Sequence, residues 1–231
     1  MTRADLGKDP EEVSSMFDGV ARRYDLVNDL LSLGQTKRWR KKVVKIINPK
    51  AGMKILDIAA GPGSSTQPLF EGGAEVVALD FSEGMLAQGR KVRPYLNFVK
   101  GDALNLPFSE NQFDLTTISF GIRNTKDFEK ALREALRVTK VGGRLVIVEF
   151  STPTSRFFRK IYLNYLMKLL PKVARFTASN PKAYSYLAES IRAWPNQKEF
   201  AEKMRANGWE SPTWVNLTGG VVAVHTGIKG S

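Results

Sequence analysis

No cysteine occurs in the 231 residues of the chain. That excludes disulfides, thiolate metal sites and cysteine nucleophiles. Histidine occurs once, as His225. One imidazole is too little for a histidine-based metal site, so no metal is expected. No apolar run approaches the length of a membrane span, and the N-terminus lacks the apolar core of a signal peptide. The expectation is a cytoplasmic protein. Acidic residues are the scarce charge: 23 Asp and Glu stand against 35 Lys and Arg, a net charge of +12. That excess favours an anionic partner, nucleic acid or an acidic membrane surface, and serves equally as a solubilising surface.

What is present is an ordinary α/β composition, 42% hydrophobic, in a length that suits one domain with an elaboration. The chain is organised around residues 55–66, ILDIAAGPGSST. An apolar run over 53–58 ends in the small-residue turn 59–63, and a helical pattern opens at Ser64. Glycine in such a turn lets a ligand touch the backbone. The helix end adds free N–H donors and partial positive charge. A second strand pattern ends in Asp80, 19 residues beyond Gly61. A carboxylate at that strand tip suits hydrogen bonds from ribose hydroxyls, so a Rossmann-like nucleoside site is expected. The dinucleotide fingerprint fits poorly, because Thr66 stands where its third glycine belongs. Asp57-x-Ala59-x-Gly61-x-Gly63 resembles instead the first motif of class I methyltransferases, which bind S-adenosylmethionine, with Ala59 in place of the usual first glycine. A strand–turn–helix of no special function fits this stretch, taken alone, equally well.

Residues 1–8 read as a loose tail, and a helix is expected from Asp9, an N-cap followed by Pro10, with Val13, Met16, Phe17 and Val20 on its apolar face. The basic stretch 37–42 reads as an exposed helix face over a buried stripe of Trp39, Val43, Val44 and Ile47. Beyond the glycine turn, strands and helices alternate: a helix capped by Ser82 to about Val92, strands at 98–99 and 113–120, a helix over 127–138, a turn at 140–143 and a strand over 144–150. This alternation predicts a parallel sheet with helices on both faces. Ligands bind such sheets at the carboxyl ends of the strands. Asp57, Asp80, Asp102 and Ser119 all fall at or near strand ends. Residues 152–195 interrupt the pattern. Their basic amphipathic stretch, 156–172, fits a lid or membrane-surface element and equally a helix covering the sheet. A helix over 197–207 and two strands, 209–217 and 220–228, joined at 218–220, follow.

Four blocks reach further. The first is Phe17-Asp18-x-Val20-Ala21-x-x-Tyr24-Asp25-x-x-Asn28, continuing through Ser32 to Trp39. The second is the glycine turn, 57–66. The third is Ile118-Ser119-Phe120-Gly121-Ile122-Arg123-Asn124, then Arg137-Val138-x-Lys140-x-Gly142-Gly143-Arg144 through Glu149-x-Ser151. The fourth is Tyr184-x-Tyr186-Leu187-x-x-Ser190-Ile191 with 219–225, GGVVAVH. Over nearly the whole chain they resemble the ubiquinone/menaquinone C-methyltransferase family, which methylates a ring carbon of a polyprenyl quinol. The resemblance implies a class I S-adenosylmethionine-dependent methyltransferase fold: a Rossmann-like α/β domain over 1–231 with a seven-stranded, mostly parallel sheet ending in a β-hairpin. N-terminal helices would occupy 9–48 and a helical substrate or lid insertion about 152–195.

It implies S-adenosyl-L-methionine as cofactor, contacted by Thr66, Asp80, Asp102, Ala103 and Ser119. Asp80 would take the ribose hydroxyls and Asp102-Ala103 the adenine edge, while Asp57, Gly61 and Gly63 shape the turn around the methionine portion. The substrate would be a polyprenyl quinol, with peripheral contact to an anionic membrane surface and no nucleic acid partner. The sequence leaves a naphthoquinol or a benzoquinol ring (ubiquinone pathway) open; the first block is closer to the menaquinone branch, a resemblance that favours demethylmenaquinol. Thr36 departs from the family, where many members carry histidine, so that histidine is not essential to the chemistry. The candidates for the chemistry are Arg123, Asn124, Tyr24 and His225. Arginine stays protonated, so Arg123 would stabilise a phenolate or orient a water and not itself take the proton. Tyr24 would hydrogen-bond the quinol oxygen. His225 has the only side chain that titrates near neutrality unperturbed, and a structural histidine is an equal reading.

Three rivals remain on the sequence. An RNA or DNA methyltransferase fits the charge, but the cysteine nucleophile of pyrimidine C5 enzymes, the Asn/Asp-Pro-Pro-aromatic loop of amino-directed enzymes and an aromatic platform are all missing. A non-catalytic module would keep the fold, against which the intact cofactor positions speak. A methyltransferase of a soluble small molecule is disfavoured by the terminal blocks.

Overall fold

The computed structural model describes residues 32, 34–165 and 181–231. The helix expected from Asp9, Tyr24, and the later half of the basic stretch lie outside these residues. Seven strands form one sheet: β1 (Lys54–Ile58), β2 (Glu75–Asp80), β3 (Asn97–Lys100), β4 (Phe113–Ser119), β5 (Thr139–Phe150), β6 (Trp209–Leu217) and β7 (Val222–Lys229). Their order is β3-β2-β1-β4-β5-β7-β6. The first five pair in parallel, and β7 lies antiparallel between β5 and β6. This is the seven-stranded sheet with a closing hairpin that the family resemblance implies.

The central strands β1 and β4 are buried on both faces, as a parallel sheet between helix layers must be, while the edge strands β3 and β6 are largely exposed. Alternate residues serve opposite cores, because successive strand side chains point to opposite faces. Leu56, Ile58, Leu145 and Ile147 join one core, with Leu132 and Ala135 of helix α4 (Phe128–Val138) and Phe200 and Met204 of α7 (Gln197–Ala206). Ile55, Val146 and Val148 join the other, with Trp39, Val43 and Ile47 of α1 (Thr36–Ile47) and Leu69 of α2 (Gln67–Glu71). Caps fix several starts. Ser82 accepts from Met85 N–H at the head of α3 (Glu83–Val92), and Asp127 accepts from Lys130 N–H before α4. Asn196 and Glu199 form a reciprocal capping box at α7.

Three expectations shift in detail. The helix expected from Ser64 begins at Gln67 and runs only five residues, because the hydroxyls of Ser65 and Thr66 are turned back onto Asp57. The expected turn at 140–143 is an irregularity inside β5: the register against β4 jumps from Thr139 to Arg144 while β4 advances from Phe113 to Leu115. Val44 is half-buried, beside the buried stripe of Trp39, Val43 and Ile47. Within 152–195 two helices are described, α5 (Arg156–Asn164) and α6 (Pro181–Ala193). No residue of α5 is buried. No helix among the described residues is long and apolar enough to cross a membrane.

Candidate active site

The site lies at the carboxyl ends of β1, β2, β4 and β5, where the sheet reverses direction of travel between β1 and β4. On the β1–β2 side every bend is braced. Ala59 takes φ 54, Gly61 φ 57 and Gly63 φ 84 in the turn after β1. A methyl group on Gly63 would come within 2.9 Å of both Leu96 and Phe98, so only glycine fits there. Asp57 is fully buried, and its Oδ2 accepts from the Thr66 hydroxyl at 2.6 Å and the Ser65 hydroxyl at 3.0 Å. Its Oδ1 has no hydrogen-bond partner among the described residues. Burial raises the Asp57 pKa from 3.8 to about 6; the two hydroxyls oppose the rise and Asp80 adds to it.

Asp80 does more than end its strand. Its Oδ2 accepts from Gly61 N–H at 2.7 Å and its Oδ1 from Ser82 N–H at 2.9 Å, so one carboxylate ties the glycine turn to the next helix. Each oxygen can accept a second bond. Asp102 is half-buried and folds the loop after β3 by accepting from Leu104 N–H at 2.8 Å, with Ala103 packed on the core beside it. Ser119 is the half-buried last residue of β4. The sequence pattern left Arg93 unmarked. It braces the turn from the end of α3, with Nε on Gln67 Oε1 at 2.8 Å and Nη1 on the Pro62 carbonyl at 3.0 Å.

The β4–β5 side is built differently. Phe120 takes φ 58 directly after β4. Gly121 then passes so near the first turn that a methyl on it would stand 2.5 Å from Ala59 Cβ. The two loops therefore touch. A single helical turn follows, Ile122–Asn124. Arg123 is 6% exposed, and its Nη1 donates to Glu149 Oε1 at 2.6 Å and to the Phe120 carbonyl at 2.8 Å. Glu149, also buried, accepts a further bond from Phe150 N–H. The guanidinium lies 5.1 Å from the centre of the Phe150 ring, and Phe120, Phe150 and Trp39 form an aromatic wall with centroids 5.1–6.5 Å apart. Asn124 Oδ1 accepts from the buried Tyr186 hydroxyl at 3.2 Å, which ties this turn to α6.

His225 is not brought to this place. It lies within β7 opposite Ile147, under α7, with Nε2 2.9 Å from the Gln197 carbonyl and its ring packed on Phe200 and Trp214. Burial lowers its pKa to about 4, so it is neutral at physiological pH. Its geometry is that of a packing histidine. Sequence reasoning gave no role to Glu149, which holds Arg123, or to Tyr162, which packs on the core containing Trp39. The available signal for Glu149 was an acid inside an otherwise apolar strand.

Sheet order, antiparallel seventh strand, and a glycine turn tied to a strand-end acid together define a class I methyltransferase fold. Solved structures agree. A methyltransferase dependent on S-adenosylmethionine from Thermotoga maritima superposes with a TM-score of 0.68 at 23% identity, covering 91% of this chain and 98% of its own. Haemonchus contortus phosphoethanolamine N-methyltransferase 2, solved with S-adenosyl-L-methionine, gives a TM-score of 0.66 at 17% identity, covering all of this chain and 60% of its own. The chain belongs to the ubiE/COQ5 methyltransferase family, whose model matches residues 5–229. Demethylmenaquinone methyltransferases of Streptomyces avermitilis and Mycobacterium marinum are 58% and 56% identical to it. The alignments cover 99% of this chain in both cases and 99% and 98% of those proteins.

Proposed function

We propose that the protein transfers the methyl group of S-adenosylmethionine to a ring carbon of demethylmenaquinol, giving menaquinol. The observation that carries this reading is the contact between the glycine turn and the Arg123 turn, which sets a nucleoside site edge to edge with a buried cation under an aromatic wall. The cofactor fits the first of these. Asp80 keeps capacity for ribose hydroxyls, Asp102-Ala103 borders the adenine position, Ser119 lines the approach, and the buried Thr66 acts from behind through Asp57. The unpartnered Oδ1 of Asp57 suits a cationic ligand, which would draw that carboxyl back to its ionised form. When bound, the cofactor supplies a methyl group already activated by positive sulfur.

The protein has to position the acceptor, exclude water and manage protons. A quinol ring carbon is a weak nucleophile until the neighbouring ring oxygen loses its proton. Arg123 remains protonated. Its task is to hold the resulting oxyanion or the water that takes the proton, while Asn124 fixes the turn that presents it. Aromaticity returns when the ring carbon gives up its own proton to solvent. Tyr24 completes the acceptor side as a hydrogen bond to the quinol oxygen, and His225 takes no part in the chemistry. The protein works from the cytoplasm as a single methyltransferase domain. The prenyl tail stays in the membrane, and the exposed Phe157 and Ile161 of α5, flanked by Arg156 and Lys160, dock on anionic lipid.

The test is a methyl-transfer assay with labelled S-adenosylmethionine, offering short-tailed reduced demethylmenaquinone, a matched benzoquinol and bulk RNA. Label on the naphthoquinol ring carbon is expected. Label on the benzoquinol alone would move the enzyme to the ubiquinone pathway, and label on RNA alone would overturn the reading.

A further inference from the structure

Two buried donors on the acceptor side lack a hydrogen-bond partner among the described residues. Arg123 Nε and the Tyr162 hydroxyl are both buried, and neither has a hydrogen-bond partner among the described residues. Leaving such a group unsatisfied in the interior is costly, so each of them calls for an explanation. They belong to neighbouring groups. The charges of Arg123 and Glu149 both act on the Tyr162 hydroxyl, and the Tyr162 ring packs on the core that holds Trp39. The other buried side-chain polar atoms of Arg123, Glu149 and Tyr162 are engaged. Glu149 is bonded to the Arg123 side chain and to Phe150 N–H, and Arg123 Nη1 is divided between Glu149 and Phe120. What is left over is two N–H and O–H donors beside an aromatic wall.

An acceptor oxygen on a flat apolar body matches that remainder. Its oxygen satisfies the donors, and its ring lies against Phe120, Phe150 and Trp39. Burial pushes the Tyr162 phenol well above its usual range, so it keeps its proton and acts as a donor, never as a base. We propose that Arg123 Nε and the Tyr162 hydroxyl form a two-donor oxyanion site for the acceptor's ring oxygen, with Glu149 holding the guanidinium in place. Tyr162 is then a catalytic residue, contributed by the insertion helix α5, and docking of that helix completes the acceptor site. This rests on the acceptor-side role given to Arg123 above.

The test uses the full chain and its Tyr162→Phe variant, which removes one oxygen and keeps the ring. The binding probes are a nitro-1-naphthol, ionised at neutral pH, and its uncharged methyl ether, each measured by calorimetry with S-adenosylhomocysteine present. The variant is expected to bind the naphtholate about tenfold more weakly, as loss of one hydrogen bond to a charged group predicts. The ether and S-adenosylmethionine should bind as before. With short-tailed demethylmenaquinol, kcat should fall about 100-fold with little change in KM. Equal naphtholate affinity and a kcat within about twofold of the parent would overturn the assignment. Equal weakening toward the ether would also overturn it, since that marks lost packing and not a lost donor. If the parent methylates no quinol yet its naphtholate binding depends on Tyr162, the oxyanion site stands and the choice of substrate falls.

Discussion

The two halves of the site solve opposite problems. On the β1–β2 side, left-handed backbone at Ala59, Gly61 and Gly63 is laced by Asp57, Asp80 and Arg93. On the β4–β5 side, a cation and a carboxylate are buried against aromatic rings, with donors to spare. The first is a mould set before its ligand arrives. The second is closed by a helix that has no buried residue of its own. On the proposed reading, the pre-organised half is the one whose ligand is always the same, and the half closed by a helix is the one a long-tailed substrate must enter and leave.

The largest effect should come from breaking the acceptor side. Arg123→Ala strands Glu149 as a buried unpaired charge, at a cost of about 3–5 kcal/mol in stability. The double variant Arg123→Met with Glu149→Leu should recover most of that loss, because apolar replacements of similar volume remove the charge burden. It should still show turnover reduced by about 100-fold or more, with cofactor affinity kept. Denaturant midpoints, calorimetry with S-adenosylmethionine and single-turnover rates separate these effects. A double variant with unchanged turnover would erase the distinction between the halves.

A smaller effect tests the cofactor side. Between pH 3.8 and about 6 the folded chain holds a proton on Asp57 that the unfolded chain has released. Stability from this group therefore rises as pH falls through that window, by up to about 3 kcal/mol. Asp114, Glu129 and Glu134, held below their usual values with Lys140, Lys203 and Arg137 as partners, push the opposite way. They cancel in a difference. The stability of the parent minus that of Asp57→Asn should grow from pH 7 to pH 4 in urea titrations. A flat difference would show that the buried carboxyl is not strained toward its neutral form.

The smallest effect concerns the helix over the acceptor side. Phe157 is 77% exposed. Phe157→Ala should lower partition onto vesicles containing anionic lipid by about tenfold or less, and raised salt should weaken what remains. Flotation assays read both. If vesicles with and without anionic lipid bind equally poorly, α5 has no lipid role.

The pattern of what the sequence disclosed follows the same division. The glycine turn, the Ser82 cap and Asp80 were legible because strand, turn and helix are consecutive and their cues are local. So was the hairpin at 218–220, where glycines mark the turn. The Arg123–Glu149 pair joins residues 26 apart on different elements, and only the β4–β5 register brings them together. No periodicity encodes that. Asp80 was foreseen as a ligand of ribose hydroxyls, while its structural duty to Gly61 and Ser82 was invisible, since a backbone N–H leaves no mark in a sequence. His225 attracted attention for its rarity, and rarity says nothing about burial. The helix signalled from Ser64 starts late, at Gln67, because the Ser65 and Thr66 hydroxyls turn to Asp57, and Ser and Thr are weak helix indicators.

One feature of the sheet reaches beyond the site. β7, the last of the seven strands in sequence, is not at an edge but between β5 and β6. While a nascent chain is still on the ribosome, β5 therefore exposes a full row of unpaired amides and carbonyls, and β6 has no partner at all. Glu149 and Phe150, which hold Arg123, end that same β5. Assembly of the catalytic half thus waits for nearly the whole polypeptide to be made, and a premature stop within the final strand leaves two sticky edges in place of an enzyme.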